Sequence, residues 1–248
     1  MQLTVLGCAG TFPGPDSPCS SYLVEHDGFR LVIDMGAGSL GQLQKHIGLL
    51  DVDAVYISHL HADHCIDLVA YSYARRYHPD GIPTQLPVYG PRGTCARICG
   101  AFENPPLGGL LDVFDFREVP VGTVQIGPLS VTSALTSHPI ECHALRVEAA
   151  GRSFTYSADS GPSDALVELA RDCDLFVCEA SWEDSPDNPS GVHLSGRQAG
   201  EHATRAGAQR LLLTHLVAWA DAEAIRAEAK GTYDGELDVA QCGTTYAI

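Results

Sequence analysis

Short apolar runs and segments of helical periodicity follow one another along the whole chain. Runs rich in β-branched and other apolar residues predict strands over residues 3–6, 21–25, 29–33, 53–58, 87–89, 113–119, 123–126, 129–135, 144–148, 153–157, 175–178 and 210–214. Apolar positions at helical spacing predict helices over residues 39–47, 65–77, 93–102, 163–171, 195–206 and 221–230. Proline and glycine predict a loop over residues 103–109. Because strands precede helices in both halves, the pattern favours two similar α/β halves packed sheet to sheet.

The composition is typical of a folded domain. Of the 248 residues, 45% are hydrophobic and 19% are charged, and no linker interrupts the pattern, so we expect a single domain over residues 1–248. The N-terminal residues carry no basic segment and no 18-residue apolar run occurs, so we expect a cytoplasmic protein that is neither exported nor inserted into a membrane. The nine cysteines contain no C-x-x-C pair, which favours reduced and mostly buried thiols.

The charge balance argues against one class of partner. The chain has 15 lysines and arginines against 31 aspartates and glutamates, which gives a formal net charge of −16. Proteins that bind extended nucleic acid normally present a basic surface, because neutralising phosphates supplies much of the affinity. The charge therefore disfavours an extended nucleic acid as the partner and favours a small substrate.

A dense cluster of metal-ligating residue types follows the strand predicted over residues 53–58. Three imidazoles and one carboxylate fall within six positions, at His59, His61, Asp63 and His64. A strand end followed by a tight loop can turn such side chains toward one point, and imidazole with carboxylate suits Zn²⁺, Mn²⁺ or Fe²⁺. The alternative interpretation, a solvated histidine-rich loop, requires this clustering to arise by chance.

A site for two metal ions needs further ligands, and we expect them at other strand ends, where a side chain is held rigidly. Three residues satisfy this condition, namely His138, Asp159 and His215, because each follows a predicted strand. The carboxylate of Asp159 can bridge two cations, whereas a neutral imidazole cannot do so in the same way. The pattern therefore predicts a dinuclear site.

This order of motifs resembles the ligand series of the metallo-β-lactamase superfamily: His-x-His-x-Asp-His, a strand-end His, a strand-end Asp and a late Thr-His. The resemblance covers essentially the whole chain. It implies a four-layer αββα sandwich and two divalent metal ions, with Zn²⁺ preferred and Mn²⁺ or Fe²⁺ as alternatives. It also assigns the ligands: His59, His61 and His138 to one metal, Asp63, His64 and His215 to the other, and Asp159 as the bridge.

Two details of the resemblance concern single positions. His143 is an alternative to His138 as the third histidine motif, and we prefer His138 because Ser137-His138-Pro139 directly ends a strand, which leaves His143 facing solvent or the outer surroundings of the site. The turn that begins at Asp34 matches the superfamily's Asp-x-Gly-x-Gly turn, in which the aspartate is structural and lies near the metals. Ala158 stands where the superfamily usually has glycine.

A second pair of residues resembles the ribonuclease Z-like branch of the superfamily. Glu179 ends a predicted strand and His193 precedes a predicted helix. At these places the branch has a glutamate and a histidine that pair near the metals, and the histidine gives a proton to the leaving oxygen of a phosphodiester. A nearby carboxylate favours the charged imidazolium that acid catalysis needs. The alternative is an exposed glutamate and a histidine that merely precedes the helix.

The chain also departs from ribonuclease Z. Only 20 residues lie between His138 and Asp159, and two predicted strands fill them, so there is no room for the long tRNA-binding arm of that enzyme. Three stretches of the chain follow another pattern: Ser58-His59-Leu60-His61-Ala62-Asp63-His64-Cys65, Tyr156-Ser157-x-Asp159 and His193-Leu194-Ser195-Gly196. In these the chain resembles a group of small bacterial proteins that includes an atypical cyclic-nucleotide phosphodiesterase. That similarity implies a homodimer that cleaves 3′,5′-cyclic AMP or a similar small phosphodiester through a metal-bridging hydroxide, with Asp63 orienting the hydroxide.

Three other functions stay open at this point. The same ligands serve ribonuclease Z-like endonucleases that cleave RNA 3′ ends, and they serve hydrolases of carboxylic esters, lactones and thioesters. The third is a metal-binding or partner-binding protein that has lost catalysis. Trp182 and Trp219 are candidates for lining the pocket, with core packing as the more ordinary explanation. Four further histidines are interpreted as surface residues: His26, His46, His78 and His202.

Overall fold

A computed structural model describes residues 1–81, 84–102 and 110–248, so the loop predicted over residues 103–109 lies outside the described residues. The strands in chain order are β1 (Gln2–Gly7), β2 (Ala9–Gly10), β3 (Ser21–His26), β4 (Phe29–Ile33), β5 (Ala54–Tyr56), β6 (Leu86–Gly90), β7 (Phe114–Glu118), β8 (Gly122–Ile126), β9 (Leu129–Leu135), β10 (His143–Ala149), β11 (Arg152–Tyr156), β12 (Leu175–Glu179), β13 (Arg210–Thr214), β14 (Leu216–Val217), β15 (Glu236–Val239) and β16 (Thr245–Ala247). The helices are α1 (Ser39–Leu43), α2 (Ala62–Cys65), α3 (Asp67–Arg76), α4 (Thr94–Cys99), α5 (Asp164–Leu169), α6 (Gly196–Ala206) and α7 (Ala222–Lys230).

Two large sheets of mixed direction organise the strands. Within the described residues each has seven strands, in the orders β16-β1-β3-β4-β5-β6-β7 and β15-β13-β12-β11-β10-β9-β8. In the first sheet, β1, β3 and β4 pair antiparallel, and β4 to β7 pair parallel. In the second sheet, β8 to β11 pair antiparallel, and β11, β12, β13 and β15 pair parallel. The two halves of the chain thus build sheets of the same kind, as the sequence predicts.

The main core lies between the two sheets. Leu3 and Val5 of β1 belong to one buried cluster with Val131 of β9 and Val147 of β10. A second cluster packs α5, α6 and α7 on the outer face of the second sheet, and a third packs α1, α3 and α4 on the outer face of the first. The predicted four-layer αββα sandwich is therefore confirmed.

Strand β4 shows why the central strands read as continuous apolar runs. Leu31 and Ile33 point into the core between the sheets, whereas Val32 points to the helical layer. Side chains alternate between the two faces of a strand, and both faces are covered here. The candidate ligands instead lie in the segments that follow the strands.

The bounds of two predicted helices show how packing limits a periodic segment. The helix predicted over residues 65–77 is α3, which begins at Asp67 because the Asp67 amide donates to the Met35 carbonyl at 3.0 Å instead of continuing the ladder of α2. The segment 39–47 forms a helix only up to Leu43, and turns follow it. In the first case a contact across the fold sets where the helix begins.

Two predictions from composition can be compared with the fold. All nine cysteines lie in the described residues as free thiols and five of them are buried, which agrees with the interpretation of reduced, mostly buried residues. A search of the described residues finds no helix with the length and apolar character needed to cross a membrane.

Candidate metal centre

The candidate ligands meet at one end of the sandwich because each follows a strand of one of the two sheets. His59, His61, Asp63 and His64 lie between β5 of the first sheet and the end of α2. The other candidates follow strands of the second sheet: His138 follows β9, Asp159 follows β11 and His215 follows β13. The site therefore forms only when the two sheets are packed together.

The first group of side chains consists of His59, His61, His138 and Asp159, whose ligand atoms lie within 4.8 Å of one another. Nδ1 of His61 is 3.2 Å from Nε2 of both His59 and His138. Oδ2 of Asp159 is 3.4 Å from Nε2 of His59. Three ring nitrogens and a carboxylate oxygen that converge in this way can hold one divalent ion.

The second group consists of Asp63, His64 and His215, which also satisfy the geometry of a metal site. Oδ1 of Asp159, the other oxygen of that carboxylate, lies 3.2 Å from Nε2 of His64 and 3.5 Å from Nε2 of His215. Asp159 therefore presents one oxygen to each group, which is the arrangement expected of a bridging ligand.

The chemistry of these atoms fits a metal centre. Three of them, Nε2 of His64, Nε2 of His215 and Oδ1 of Asp159, are buried without a hydrogen-bond partner among the described residues. Leaving a buried polar atom unpaired costs about 1–3 kcal/mol, so their convergence calls for a cation. Burial lowers the pKa of His138 to about 4, which keeps its imidazole in the neutral form that binds metals.

The second ring nitrogen of each buried histidine is held by another residue. Nδ1 of His138 is 3.0 Å from the Val192 carbonyl, and Nδ1 of His215 is 2.8 Å from the Ser20 hydroxyl. Nδ1 of His64 is 2.8 Å from a carboxylate oxygen of Asp34. Such outer contacts fix the orientation of the ring and raise its basicity as a ligand.

Asp34 is the most connected of these outer residues. Its carboxylate accepts hydrogen bonds from the Ser58 amide at 2.7 Å, the Ser58 hydroxyl at 2.8 Å and the Tyr156 hydroxyl at 2.9 Å. Asp34 is fully buried and has a positive φ of 59°, so the backbone is strained to aim this carboxylate. The predicted structural role of Asp34 near the site agrees with this geometry.

Glu179 and His193 form the predicted pair beside the candidate ligands. Nδ1 of His193 lies 2.9 Å from Oε1 of Glu179 and 4.0 Å from Oδ2 of Asp159. Glu179 is fully buried at the end of β12, and its oxygens also accept from the Ser160 amide, the Ser181 hydroxyl and the Leu194 amide. Burial opposes charge on His193, but the adjacent carboxylate prevails and raises the pKa of the ring to about 9.

The structure corrects several expectations about single residues. His143 begins β10, and its Nε2 lies 3.0 Å from Glu141, so its ring does not join the two ligand groups, which agrees with the preference for His138. Of the two environments expected for His143, solvent is excluded because the residue is 1% exposed. His202 is 3% exposed rather than on the surface, because it lies on the buried face of α6 and its Nε2 accepts from the Ser163 amide. Trp182 contacts His193 with ring centroids 5.0 Å apart, and Trp219 is 78% exposed, which excludes core packing.

The outer partners Ser20, Tyr156 and Val192 were not among the candidates from the sequence. No local pattern connects Ser20 with His215, since they are 195 positions apart in the chain. Val192 and Ser58 each directly precede a candidate histidine, and Tyr156 lies three positions before Asp159, so their positions beside the candidates were the available signal.

The sequence pattern of the beta-lactamase superfamily domain matches residues 29–216. The chain belongs to this superfamily. Over 255 residues it is 44% identical to the uncharacterized protein ML1173 of Mycobacterium leprae, with coverage of 100% of this chain and 89% of that protein. It is 30% identical over 246 residues to the protein named probable metallo-hydrolase YhfI of Bacillus subtilis, covering 98% of each.

Solved structures agree with the superfamily assignment. YhfI, described as a metallo-beta-lactamase fold protein, superposes with a TM-score of 0.88 at 28% identity, covering 99% of this chain and 98% of that one. The short form of human tRNase Z superposes with a TM-score of 0.78 at 20% identity, covering 100% and 99%. A diphosphatase of the PhnP family gives a TM-score of 0.77 at 19% identity, covering 100% and 97%. The last two show the shared fold, and the superfamily match with the histidine-aspartate cluster identifies a metallo-hydrolase.

Proposed function

We propose that this protein is a dinuclear phosphodiesterase that hydrolyses 3′,5′-cyclic AMP or a similar small phosphodiester. The observation that carries the proposal is the position of His193, which is held by buried Glu179 and lies 4.0 Å from the bridging candidate Asp159. Hydrolysis of a phosphodiester with an alkoxide leaving group needs a proton donor beside the reacting phosphorus. Alkyl esters and lactones also release an alkoxide, so the likeness to a diphosphatase and to tRNase Z is what favours a phosphodiester over them.

The ligand groups described above would hold two divalent ions, with His59, His61 and His138 on one, Asp63, His64 and His215 on the other, and Asp159 between them. When bound, such ions lower the pKa of a water molecule and neutralise charge that develops on the phosphoryl oxygens. Zn²⁺ suits this set of imidazoles and carboxylates, as Mn²⁺ and Fe²⁺ also do.

The protein's own residues supply the remaining steps. Oδ2 of Asp63 accepts from the Thr11 amide at 2.9 Å, so this carboxylate is fixed and its other oxygen can orient the attacking water. Nδ1 of His193 is occupied by Glu179, which leaves Nε2 to donate a proton to the departing ribose oxygen. Water attack and protonation then occur on opposite sides of the phosphorus, as in-line displacement requires.

Two features support a small substrate over a long RNA. The segment between His138 and Asp159 is occupied by the hairpin of β10 and β11, which leaves no chain for an RNA-binding arm there. The net charge of −16 opposes accumulation of a polyanion on the surface. The likeness to tRNase Z nevertheless makes RNA 3′-end cleavage the second candidate, and the likeness to a diphosphatase supports chemistry at phosphorus.

The test is release of 5′-AMP from 3′,5′-cyclic AMP by the purified, metal-loaded protein, with pre-tRNA and a lactone as parallel substrates. We expect cleavage of cyclic AMP alone. Replacing His193 with alanine should lower kcat by about 10²- to 10⁴-fold, the usual contribution of a general acid, while metal content stays the same. Tyr77→Ala, an exposed aromatic at the end of α3, is the control for a general effect of mutation.

Other outcomes would redirect the assignment. Cleavage of pre-tRNA at rates far above those for cyclic AMP would select the endonuclease. Hydrolysis of the lactone alone, unaffected by His193→Ala, would contradict phosphodiester chemistry altogether. Normal turnover of cyclic AMP by His193→Ala would support cyclic AMP as the substrate but contradict the role of His193 as the proton donor.

A further inference from the structure

Two aromatic side chains contact each other on the surface beside the metal centre. The rings of Phe12 and Trp219 have centroids 4.9 Å apart and are tilted by 38°. Trp219 is 78% exposed, and it is the most exposed of the large apolar side chains among the described residues. Phe12 is half-buried. A pair of large rings left open to water in this way typically marks a binding surface, since such rings otherwise bury 150–250 Å² each.

Both rings extend from segments that directly contact the candidate ligands. Phe12 follows Thr11, whose amide donates to Asp63 at 2.9 Å. Trp219 lies four positions after His215, in the turn that follows β14. The short parallel pairing of β2 with β14 joins the two segments, with Gly10 opposite Val217.

Gly10 shows how closely these segments approach the site. A Cβ atom at Gly10 would lie 2.5 Å from the His215 carbonyl oxygen and 3.0 Å from Cδ2 of its ring. Thr11 then takes a left-handed φ of 66°, which turns the chain sharply before Phe12. The aromatic pair is thus positioned by the same backbone that surrounds His215 and Asp63.

We propose that Phe12 and Trp219 form a stacking platform for the base of a nucleotide whose phosphodiester is bound at the metal centre. The inference rests on the proposed function and adds to it the residues that distinguish a nucleotide from other phosphodiesters. A base offers a flat π-face whatever its hydrogen-bonding pattern, so the open face of Trp219 can bind it without polar partners. The platform determines specificity and takes no part in the chemical step.

The location separates the platform from the reacting groups. The buried ligands would hold the cations that bind the phosphate, whereas the aromatic pair lies at the exposed edge of the same site. A nucleotide has this division, with a charged phosphate at one end and an apolar, planar base at the other. Loss of the platform should therefore weaken binding of the substrate and leave the rate of the bound complex unchanged.

The first experiment measures kinetics on two matched substrates. Trp219→Ala should raise the KM for cyclic AMP by about 5- to 150-fold, the range that one stacked base gives, with kcat changed less than about twofold. The same variant should leave unchanged the KM for a base-free analogue, 1-O-methylribose 3′,5′-cyclic phosphate. Trp219→Phe should restore most of the affinity, and Tyr77→Ala is the control, since it removes an exposed ring that stacks on Tyr73 instead.

The second experiment detects binding without turnover. 5′-AMP should quench the intrinsic fluorescence of the metal-loaded protein, whereas ribose 5-phosphate should not. The quench should be lost in Trp219→Phe, which retains only Trp182 as a tryptophan. Quenching by 5′-AMP without hydrolysis of cyclic AMP would support the stacking platform and contradict the proposed phosphodiesterase activity.

Two results would overturn the platform. One is equal KM values for cyclic AMP in the wild type and Trp219→Ala, together with unchanged quenching. The other is a wild-type dimer in sedimentation that Trp219→Ala converts to a monomer with full nucleotide affinity, because a second copy of the chain would then be what covers the rings.

Discussion

The proton that His193 is proposed to deliver depends on Glu179, because that carboxylate both orients the ring and favours its charged form. Glu179→Gln keeps the shape and removes the charge, so we expect kcat for cyclic AMP to fall by about 10²-fold while KM and metal content change little. The measurement is steady-state kinetics with elemental analysis of the same samples. Glu141→Gln is a matched control, since Glu141 also pairs with a histidine, His143, but outside the ligand groups.

A merely structural role for Glu179 can be distinguished by the leaving group. Bis(p-nitrophenyl) phosphate releases an anion that needs no proton, so Glu179→Gln should slow this substrate much less than cyclic AMP. Equal losses on both substrates would show that the variant disturbs the site in general. Combining Glu179→Gln with His193→Ala should add little to either change, because the two residues act as one unit.

At this same scale the sequence predicts which candidate ligands the structure brings together, but little of their surroundings. The seven ligand candidates lie together because each follows a strand, and strand ends are visible as the limits of apolar runs. The surface position expected for His202 was wrong, since its burial depends on packing between distant segments. The hydrogen bond from Tyr156 to Asp34 could not be predicted from the sequence either, because it joins positions 122 residues apart.

Among the elements, the turn after β4 sets the position of α2 and thus of Asp63 and His64. Gly36 lies so close to α2 that a Cβ atom there would be 2.1 Å from the Asp63 carbonyl oxygen and 2.6 Å from Cβ of Cys19. Gly36→Ala should therefore destabilise the fold by about 1–3 kcal/mol, the usual cost of overpacking, and weaken metal binding. Denaturant unfolding and metal titration measure the two effects.

Gly41 provides the control for this element. It lies within α1, where a Cβ atom would have no neighbour within 4 Å. Gly41→Ala should raise stability by about 0.5–1 kcal/mol, because alanine loses less conformational freedom in a helix than glycine. If Gly36→Ala were as stable as Gly41→Ala and bound metal normally, the turn would not be what positions α2.

The first residue of α3 shows why the ends of a helix are harder to predict from sequence than the helix itself. Periodicity predicts a helix over residues 65–77, and α3 forms over Asp67–Arg76, beginning where the Asp67 amide donates to the Met35 carbonyl of the turn after β4. The same turn carries Asp34 and Gly36, so the start of α3 is set by the structure that supports the site. The periodicity of a short segment predicts that it is helical, but it carries no information about a turn elsewhere in the chain that packs against the helix.

On the scale of the whole molecule, the candidate centre lies between two sheets that are also joined by a shared apolar core and by hydrogen bonds such as that from Tyr156 to Asp34. His59 and His64 come from the first sheet, whereas His138, Asp159 and His215 come from the second. A metal ion bound across this boundary would bind the folded state and not the separated sheets. Its affinity would then contribute directly to the stability of the entire sandwich.

Removing the metal should consequently lower the melting temperature of the whole protein in one transition. A free ion concentration of 1,000 times Kd adds about 4.1 kcal/mol, and a chain of this size shifts by about 2–4 °C per kcal/mol, so chelation should lower Tm by about 8–16 °C. Asp159→Asn should remove most of this difference in Tm, because the Asp159 carboxylate faces both ligand groups.

Asp174→Asn is the control. Asp174 is also buried but pairs with Arg152 at 2.7 Å, so the shift in Tm on chelation should match that of the wild type. Equal Tm values with and without chelator, in protein shown to carry metal beforehand, would mean that the ions bind a preformed site without joining the sheets.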